Sequence, residues 1–221
     1  MHDGMPIERF GVIGDIHAQH ETLERVLDHM SGRGLGTILS VGDIVDGPGD
    51  ADRCCALLEQ AEAWVVQGNH DRWFLEGDMR MLPDATSSAH PSTHRFLETL
   101  PATRRLQTIA GELLLCHGVG SDDMMRLTPD SFGYGLQVAL EPMKERADVP
   151  LVVCGHGHVR MVERLDRHVF INAGTLLPFP QAGFVIVDLA EAQVELFDCD
   201  SVVRITCAGV VPLPPAQSRR T

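Results

Sequence analysis

The chain reads as an α/β fold with mixed β-sheets, on three observations. Short apolar runs end repeatedly in Gly with Asp, Asn or His, as in FGVIGDIH, TILSVGDIVD, AWVVQGNHD, ELLLCHG and LVVCGHGH. Segments of helical period separate the first three runs. After Gly155 the runs HVFINAG, GFVIVDL and QVELFDC follow one another with no room for helices between them.

Runs rich in Val, Ile and Leu and bounded by Gly have the length and composition of buried strands. Between them Leu23, Val26, Leu27 and Met30 recur at the spacing of one helical face, and Asp50 is placed to cap a helix carrying Leu57, Leu58 and Ala61. Strand alternating with helix implies parallel pairing, whereas the hairpin-linked strands after Gly155 imply antiparallel pairing, so the sheet system should be mixed. A longer helix is expected over Phe132 to Arg146, with Leu136, Ala139, Leu140 and Met143 as its apolar face. The stretches 77–92 and 119–131 hold Gly, Pro, Ser and Asp without period and read as loops, long enough to carry function. One domain is expected over residues 1–210, followed by a frayed tail from Val211.

The length of 221 residues supports one sizeable core. A net charge of −13 without a run of Lys and Arg argues against extended nucleic acid as a partner. A small phosphate ester could still bind where metal ions reverse the local field. Six cysteines without a C-x-x-C pair suit neither a zinc ribbon nor a disulfide framework, and Cys116 and Cys154 lie in apolar runs as small buried hydrophobes. A reducing cytoplasm is the expected location. The start MHDGMPIERF lacks the apolar stretch of a secretory signal and no run is long enough to span a bilayer, so no membrane partner is expected. The oligomeric state stays open.

At the strand ends stand Asp15 and His17, Asp43 and Asp46, Asn69 with His70 and Asp71, His117, and His156 with His158. Groups at the carboxyl ends of strands in an α/β sheet meet in one crevice. Carboxylates, imidazoles and one amide oxygen suit Mn, Fe, Zn, Co or Ni better than a thiolate-selected ion. Seven ligand side chains exceed the needs of one catalytic metal and suit two divalent transition-metal ions, manganese first among the candidates. His2, His20, His29, His90, His94 and His168 read as surface residues; Pro91 and the lack of a third ligand argue against His90 and His94 as a metal pair.

The ordered set GDIH, GDIVD, GNHD, CHG and GHGH resembles that of the calcineurin-like metallophosphoesterases, especially the compact bacterial and archaeal phosphodiesterases of the YfcE-like type. The likeness covers residues 10 to about 200. It implies a four-layer α-β-β-α sandwich with Asp15, His17 and His158 on one metal, Asn69, His117 and His156 on the other, and Asp43 bridging. It implies hydrolysis by metal-bound hydroxide, with His70 over the ester as acid and Asp46 orienting it. For Asp71 a structural turn role and a catalytic one both stand.

The departures narrow the substrate. Protein phosphatases of this superfamily carry GDxxDRG and an Arg before GNH; here the stretches are GDIVDGP and Gln67. Replacing a bidentate phosphate fork by Gly or Gln removes the grip on a phosphoprotein. Many YfcE-like members have Cys at the His70 position, and the retained His keeps an acid for a poorer leaving group. The expected activity is therefore a phosphodiesterase on a small or nucleotide-like ester, with a phosphomonoesterase and a dinucleoside-polyphosphate hydrolase as alternatives, and a non-catalytic scaffold as the reading from outside the enzymes. Arg72, Arg126 and Arg160 are candidate phosphate contacts or surface charges. Tyr134 is expected to pack in the core rather than stack on a base.

Overall fold

A computed structural model describes residues 5–146, 148–200 and 204–214. Strands β1 (Arg9–Ile13), β2 (Ile38–Ser40) and β3 (Trp64–Val65) run parallel, joined by helices α1 (His20–Gly32) and α2 (Ala51–Gln60). Helices α3 (Asn69–Glu76) and α4 (Pro91–Thr99) lead into β4 (Thr103–Thr108) and β5 (Gly111–Cys116). Helix α5 (Gly133–Leu140) precedes the remaining strands: β6 (Leu151–Cys154), β7 (Met161–Leu165), β8 (His168–Asn172), β9 (Gly183–Asp188), β10 (Gln193–Cys199) and β11 (Ile205–Pro212). The strands form a six-stranded sheet in the order β11-β10-β9-β1-β2-β3 and a five-stranded sheet in the order β4-β5-β6-β8-β7.

Both sheets are mixed, as expected. β1 pairs parallel with β2 and antiparallel with β9, and β6 lies parallel between β5 and β8. The layering follows from the two-residue period of strand side chains. Phe10 and Val12 of β1 face Leu113 and Leu115 of β5 and Val153 of β6 in an apolar layer between the sheets. The alternate residues face outward. Ile13 meets Leu23, Val26, Leu58, Phe74 and Leu97 under α1 to α4, and Leu114, Cys116, Val152 and Cys154 meet Ala139 and Met143 beside α5. Three buried layers therefore separate helices, sheet, sheet and helix, which is the four-layer α-β-β-α arrangement.

Sequence signals act locally as expected. Asp50 caps α2 by accepting a hydrogen bond from the Arg53 backbone N–H at 2.9 Å. The helix expected over Phe132–Arg146 instead ends at Leu140 and passes into a 3₁₀ turn over Glu141–Met143. Pro142 explains the break, because its ring displaces the preceding turn and it has no N–H to donate. Tyr134 is 81% exposed rather than packed, since the short α5 buries only Ala139 fully.

Two histidines expected on the surface lie inward. His168 is buried with its ring Nδ1 2.6 Å from the Val149 carbonyl oxygen, and His29 is half-buried with its ring near those of Phe184 and Phe197. His20 and His94 are half-buried and His90 exposed, while His2 lies outside the described residues. Val211 and Pro212, expected to open the tail, still pair in β11; residues 215–221 lie outside the described ones. Cys116 and Cys154 are buried as expected, and burial pushes the Cys116 thiol up to about 12. Among the described residues no helix is long and apolar enough to cross a membrane.

His168→Ala should lower stability by about 2–4 kcal/mol, because it opens a cavity and strands a buried carbonyl. Tyr134→Ala should change stability by less than about 0.5 kcal/mol. Urea unfolding of the two variants separates these outcomes.

Candidate metal centre

The expected ligands converge where the carboxyl ends of β1, β2, β5 and β6 open. Asp15 lies two residues past β1 and is fully buried. Its Oδ1 accepts the His156 backbone N–H at 2.9 Å, while Oδ2 has no hydrogen-bond partner among the described residues. Burial drives its carboxyl up to about 7; the His117 charge opposes this and the neighbouring Asp43 adds to it. An orphaned buried carboxylate oxygen is costly unless a cation or donor faces it.

Asp43 stands at the centre of the cluster. Its Oδ1 accepts the His70 backbone N–H at 2.9 Å, and its Oδ2 lies 3.3 Å from His117 Nε2 and 3.8 Å from His17 Nε2. Burial opposes its ionisation, yet the charge and hydrogen bond of His117, with His17 and His70, hold the carboxyl below the usual carboxylate range. Gly68 lets the chain come this close, since a Cβ there would lie 2.2 Å from Asp43 Oδ1.

Backbone carbonyls orient two of the imidazoles. His17 Nδ1 donates to Asp46 O at 2.8 Å, which turns Nε2 to within 3.1 Å of His158 Nε2. His117 Nδ1 donates to Val41 O at 2.7 Å, which turns its Nε2 to 2.8 Å from Asn69 Oδ1. His156 Nδ1 reaches the same amide oxygen at 2.9 Å. Carbonyls that fix one ring nitrogen so that the other faces inward are a recurrent support for metal-binding histidines. Two sets of donor atoms result, each within 4.8 Å of its own members: Asp15, His17, Asp43 and His158, and Asp43, His117 and His156. Asp43 belongs to both.

The cluster is held by strained backbone. His17, Asp43, Asp46, His156 and His158 have φ of 48°, 49°, 61°, 59° and 54°, in the left-handed region that costs a non-glycine residue about 1 kcal/mol or more. Asp71 works from below: its Oδ1 accepts from Ile44 N at 2.8 Å and Val45 N at 3.3 Å, and its Oδ2 from Gly68 N at 3.0 Å. Both oxygens are used in joining the Asp43 loop to α3, which favours the structural role for Asp71.

The carboxylates and burial set the ionisation of the imidazoles around them. Burial would neutralise His117, but Asp43 and Asp15 hold its imidazolium and raise it to about 10, while burial and His17 push His158 down to about 4. Carboxylates demanding a cation, an orphaned oxygen and preoriented imidazoles all fit divalent metal ions.

His70 stands beside this cluster, its ring 4.8 Å from that of His17 and its Nδ1 2.9 Å from Asp46 Oδ2. Burial alone would lower its basicity, but the Asp46 hydrogen bond raises it above the ordinary imidazole range. Asp46 is also gripped by Arg80 and Thr86, residues for which the aperiodic loop 77–92 carried no sequence signal. Asn172 and Thr175 were also missed. Asn172 Nδ2 donates to Gly155 O and Thr175 Oγ1 to Asp15 O, bracing the loops that carry His156 and Asp15. The polar ending of HVFINAG was the signal that could have found Asn172.

The candidate phosphate-gripping arginines are engaged elsewhere or exposed. Arg72 is forked onto Asp123 at 2.7 and 3.2 Å and reaches Glu76 at 3.1 Å; Arg160 pairs with Asp198 and the Phe197 carbonyl; Arg126 is exposed. Gln67 turns its amide to the Leu97 carbonyl. At Gly47 a Cβ would lie 1.8 Å from the His17 carbonyl oxygen, so this backbone has no room for an arginine at that position. A cavity of about 170 Å³ lined by Gln67, Arg72, His117, Ser121 and Asp123 reaches the cluster from this side.

A four-layer sandwich with carboxylates, imidazoles and an amide at its strand ends is the framework of a metal-dependent hydrolase of phosphoric esters. The model of the calcineurin-like phosphoesterase superfamily domain matches residues 9–192, and the chain belongs to that superfamily. Among solved structures it is similar to a metallophosphoesterase from Sphaerobacter thermophilus, at 24% identity and a TM-score of 0.65, covering 86% of this chain and 87% of that one. It is also similar to the phosphoesterase YfcE from E. coli, at 16% identity and a TM-score of 0.58, covering 93% and 100%. A stretch of 60 residues is 38% identical to an uncharacterized protein of Methanocaldococcus jannaschii, and the match spans 27% of this chain and 25% of that relative.

Because the raised His117 is protonated at neutral pH, a metal ion must displace its proton. Metal uptake at pH 7 should therefore release protons, and affinity should rise with pH. A pH-indicator titration that finds neither effect contradicts the geometry.

Proposed function

We propose that the chain is a binuclear phosphodiesterase acting on a small or nucleotide-like ester. The observation that carries the reading is the position of Asp43 in both donor sets. In this reading Asp15, His17 and His158 would hold one ion and Asn69, His117 and His156 the other, with Asp43 available to both. When bound, two such ions would offset the charge of a phosphoryl group and lower the pKa of a water for in-line attack. Manganese is the first candidate on the chemistry of the donors.

The remaining steps belong to the chain's own side chains. His70, with Nδ1 engaged by Asp46, presents Nε2 as the nitrogen able to protonate the leaving oxygen. The diester preference rests on charge. A monoester dianion needs more cationic compensation than a diester monoanion, and the protein supplies no arginine at the gripping positions while carrying a net charge of −13. Free thiols, buried at Cys54, Cys55, Cys116, Cys154 and Cys199 and exposed at Cys207, accord with a reducing cytoplasm.

Equilibrium dialysis should find two equivalents of Mn on the wild type, one on His158→Ala, and a loss at both positions in Asp43→Asn. One equivalent on the wild type would overturn the binuclear reading. With the Mn-loaded protein, bis-p-nitrophenyl phosphate should be hydrolysed faster than p-nitrophenyl phosphate, and His70→Ala should slow the reaction about 100-fold or more. A preference for the monoester would reverse the substrate assignment.

A further inference from the structure

Arg80 lies in the aperiodic loop between α3 and α4, yet it makes a two-point contact with the carboxylate that holds His70. Its Nη1 and Nη2 donate to Asp46 Oδ1 and Oδ2 at 2.9 and 2.8 Å, a fork onto a carboxylate whose side chain is 2% exposed. Such a two-point contact fixes the plane of the carboxylate as well as its position. The same loop returns with Thr86, whose backbone N–H donates to Asp46 Oδ1 at 2.9 Å and whose Oγ1 accepts the Asp46 N–H at 3.0 Å. Arg80 is itself braced, with Nε donating to Asp78 O at 2.6 Å and its guanidinium 5.8 Å from the Phe74 ring centroid.

The consequence falls on His70. Asp46 Oδ2, the oxygen that accepts Arg80 Nη2, is also the oxygen 2.9 Å from His70 Nδ1. Apart from His70, the partners of the Asp46 carboxylate among the described residues are Arg80 and Thr86, and their contacts hold Oδ2 toward the ring. A carboxylate locked in this way can only accept, which keeps the hydrogen on Nδ1 and leaves Nε2 as the variable nitrogen.

We propose that Arg80 is a positioning residue that acts through Asp46 to hold the ring orientation and tautomer of His70, making loop 77–92 part of the catalytic apparatus. The inference rests on the reading of His70 as the acid for the leaving oxygen. It makes the benefit of Arg80 dependent on the leaving group. An ester that leaves without protonation gains little from an oriented acid, and one that needs the proton gains most.

Two measurements test it. Histidine-ring ¹⁵N spectra of the metal-free protein, with the His70 signal assigned by His70→Gln, should show a fixed Nδ1–H form that is averaged in Arg80→Ala and restored in part by Arg80→Lys. In Mn-loaded protein, Arg80→Ala should reduce kcat about tenfold or more on phenyl esters and less than about threefold on p-nitrophenyl esters, with no further effect in a His70→Ala background. Unchanged His70 ring signals, or an equal loss on both esters that persists without His70, would overturn the proposal. If His70→Ala left the rate unchanged, the acid reading would fail instead, and the ring spectra would still decide whether Arg80 holds the imidazole.

Discussion

Asp15 and Asp43 lie fully buried within reach of each other's charge, one past the end of β1 and the other past the end of β2. Two anionic groups in an apolar sandwich are unfavourable without positive charge between and around them. Much of the local architecture answers that demand. His117 stands within 3.7 Å of Asp15 and 3.3 Å of Asp43, the backbone N–H groups of His156 and His70 point at one oxygen of Asp15 and of Asp43 respectively, and among the described residues the other oxygen of Asp15 has no donor. That remaining demand is the reason the cluster suits cations.

The same demand accounts for the backbone strain. Residues that present side chains to one point from successive strand ends must turn sharply after each strand, and five of them do so with positive φ. Asp, Asn and His tolerate that region better than bulky or β-branched residues. The strain is sustained because Asp71, Asn172 and Thr175 tie the turning segments to their neighbours. The close approach of residue 47 to the His17 carbonyl leaves no room for a side chain, so this backbone excludes an arginine at that position.

The ligand set was legible because each member follows an apolar run that has no structural use for an ionisable group. The central strands were legible for the same reason, being buried on both faces. The strands that the apolar pattern did not reveal, β4, β7 and β11, are all edge strands. TRRLQT shows why: a strand paired on one side alternates charge with Leu106 and needs no continuous apolar run. Arg80 and Thr86 were beyond reach because their partner, Asp46, is more than thirty residues away and their loop has no period. His168 escaped because the carbonyl that satisfies its buried ring, Val149 O, lies on the chain before β6.

The proposed function requires one carboxylate, Asp43, to serve two metal ions at once. Electron paramagnetic resonance of the protein titrated with Mn tests it directly, because ions joined through a shared ligand are magnetically coupled. The second equivalent should convert the isolated-ion hyperfine pattern into a coupled spectrum in the wild type. Two successive isolated-ion signals, with no coupling at full loading, would contradict it.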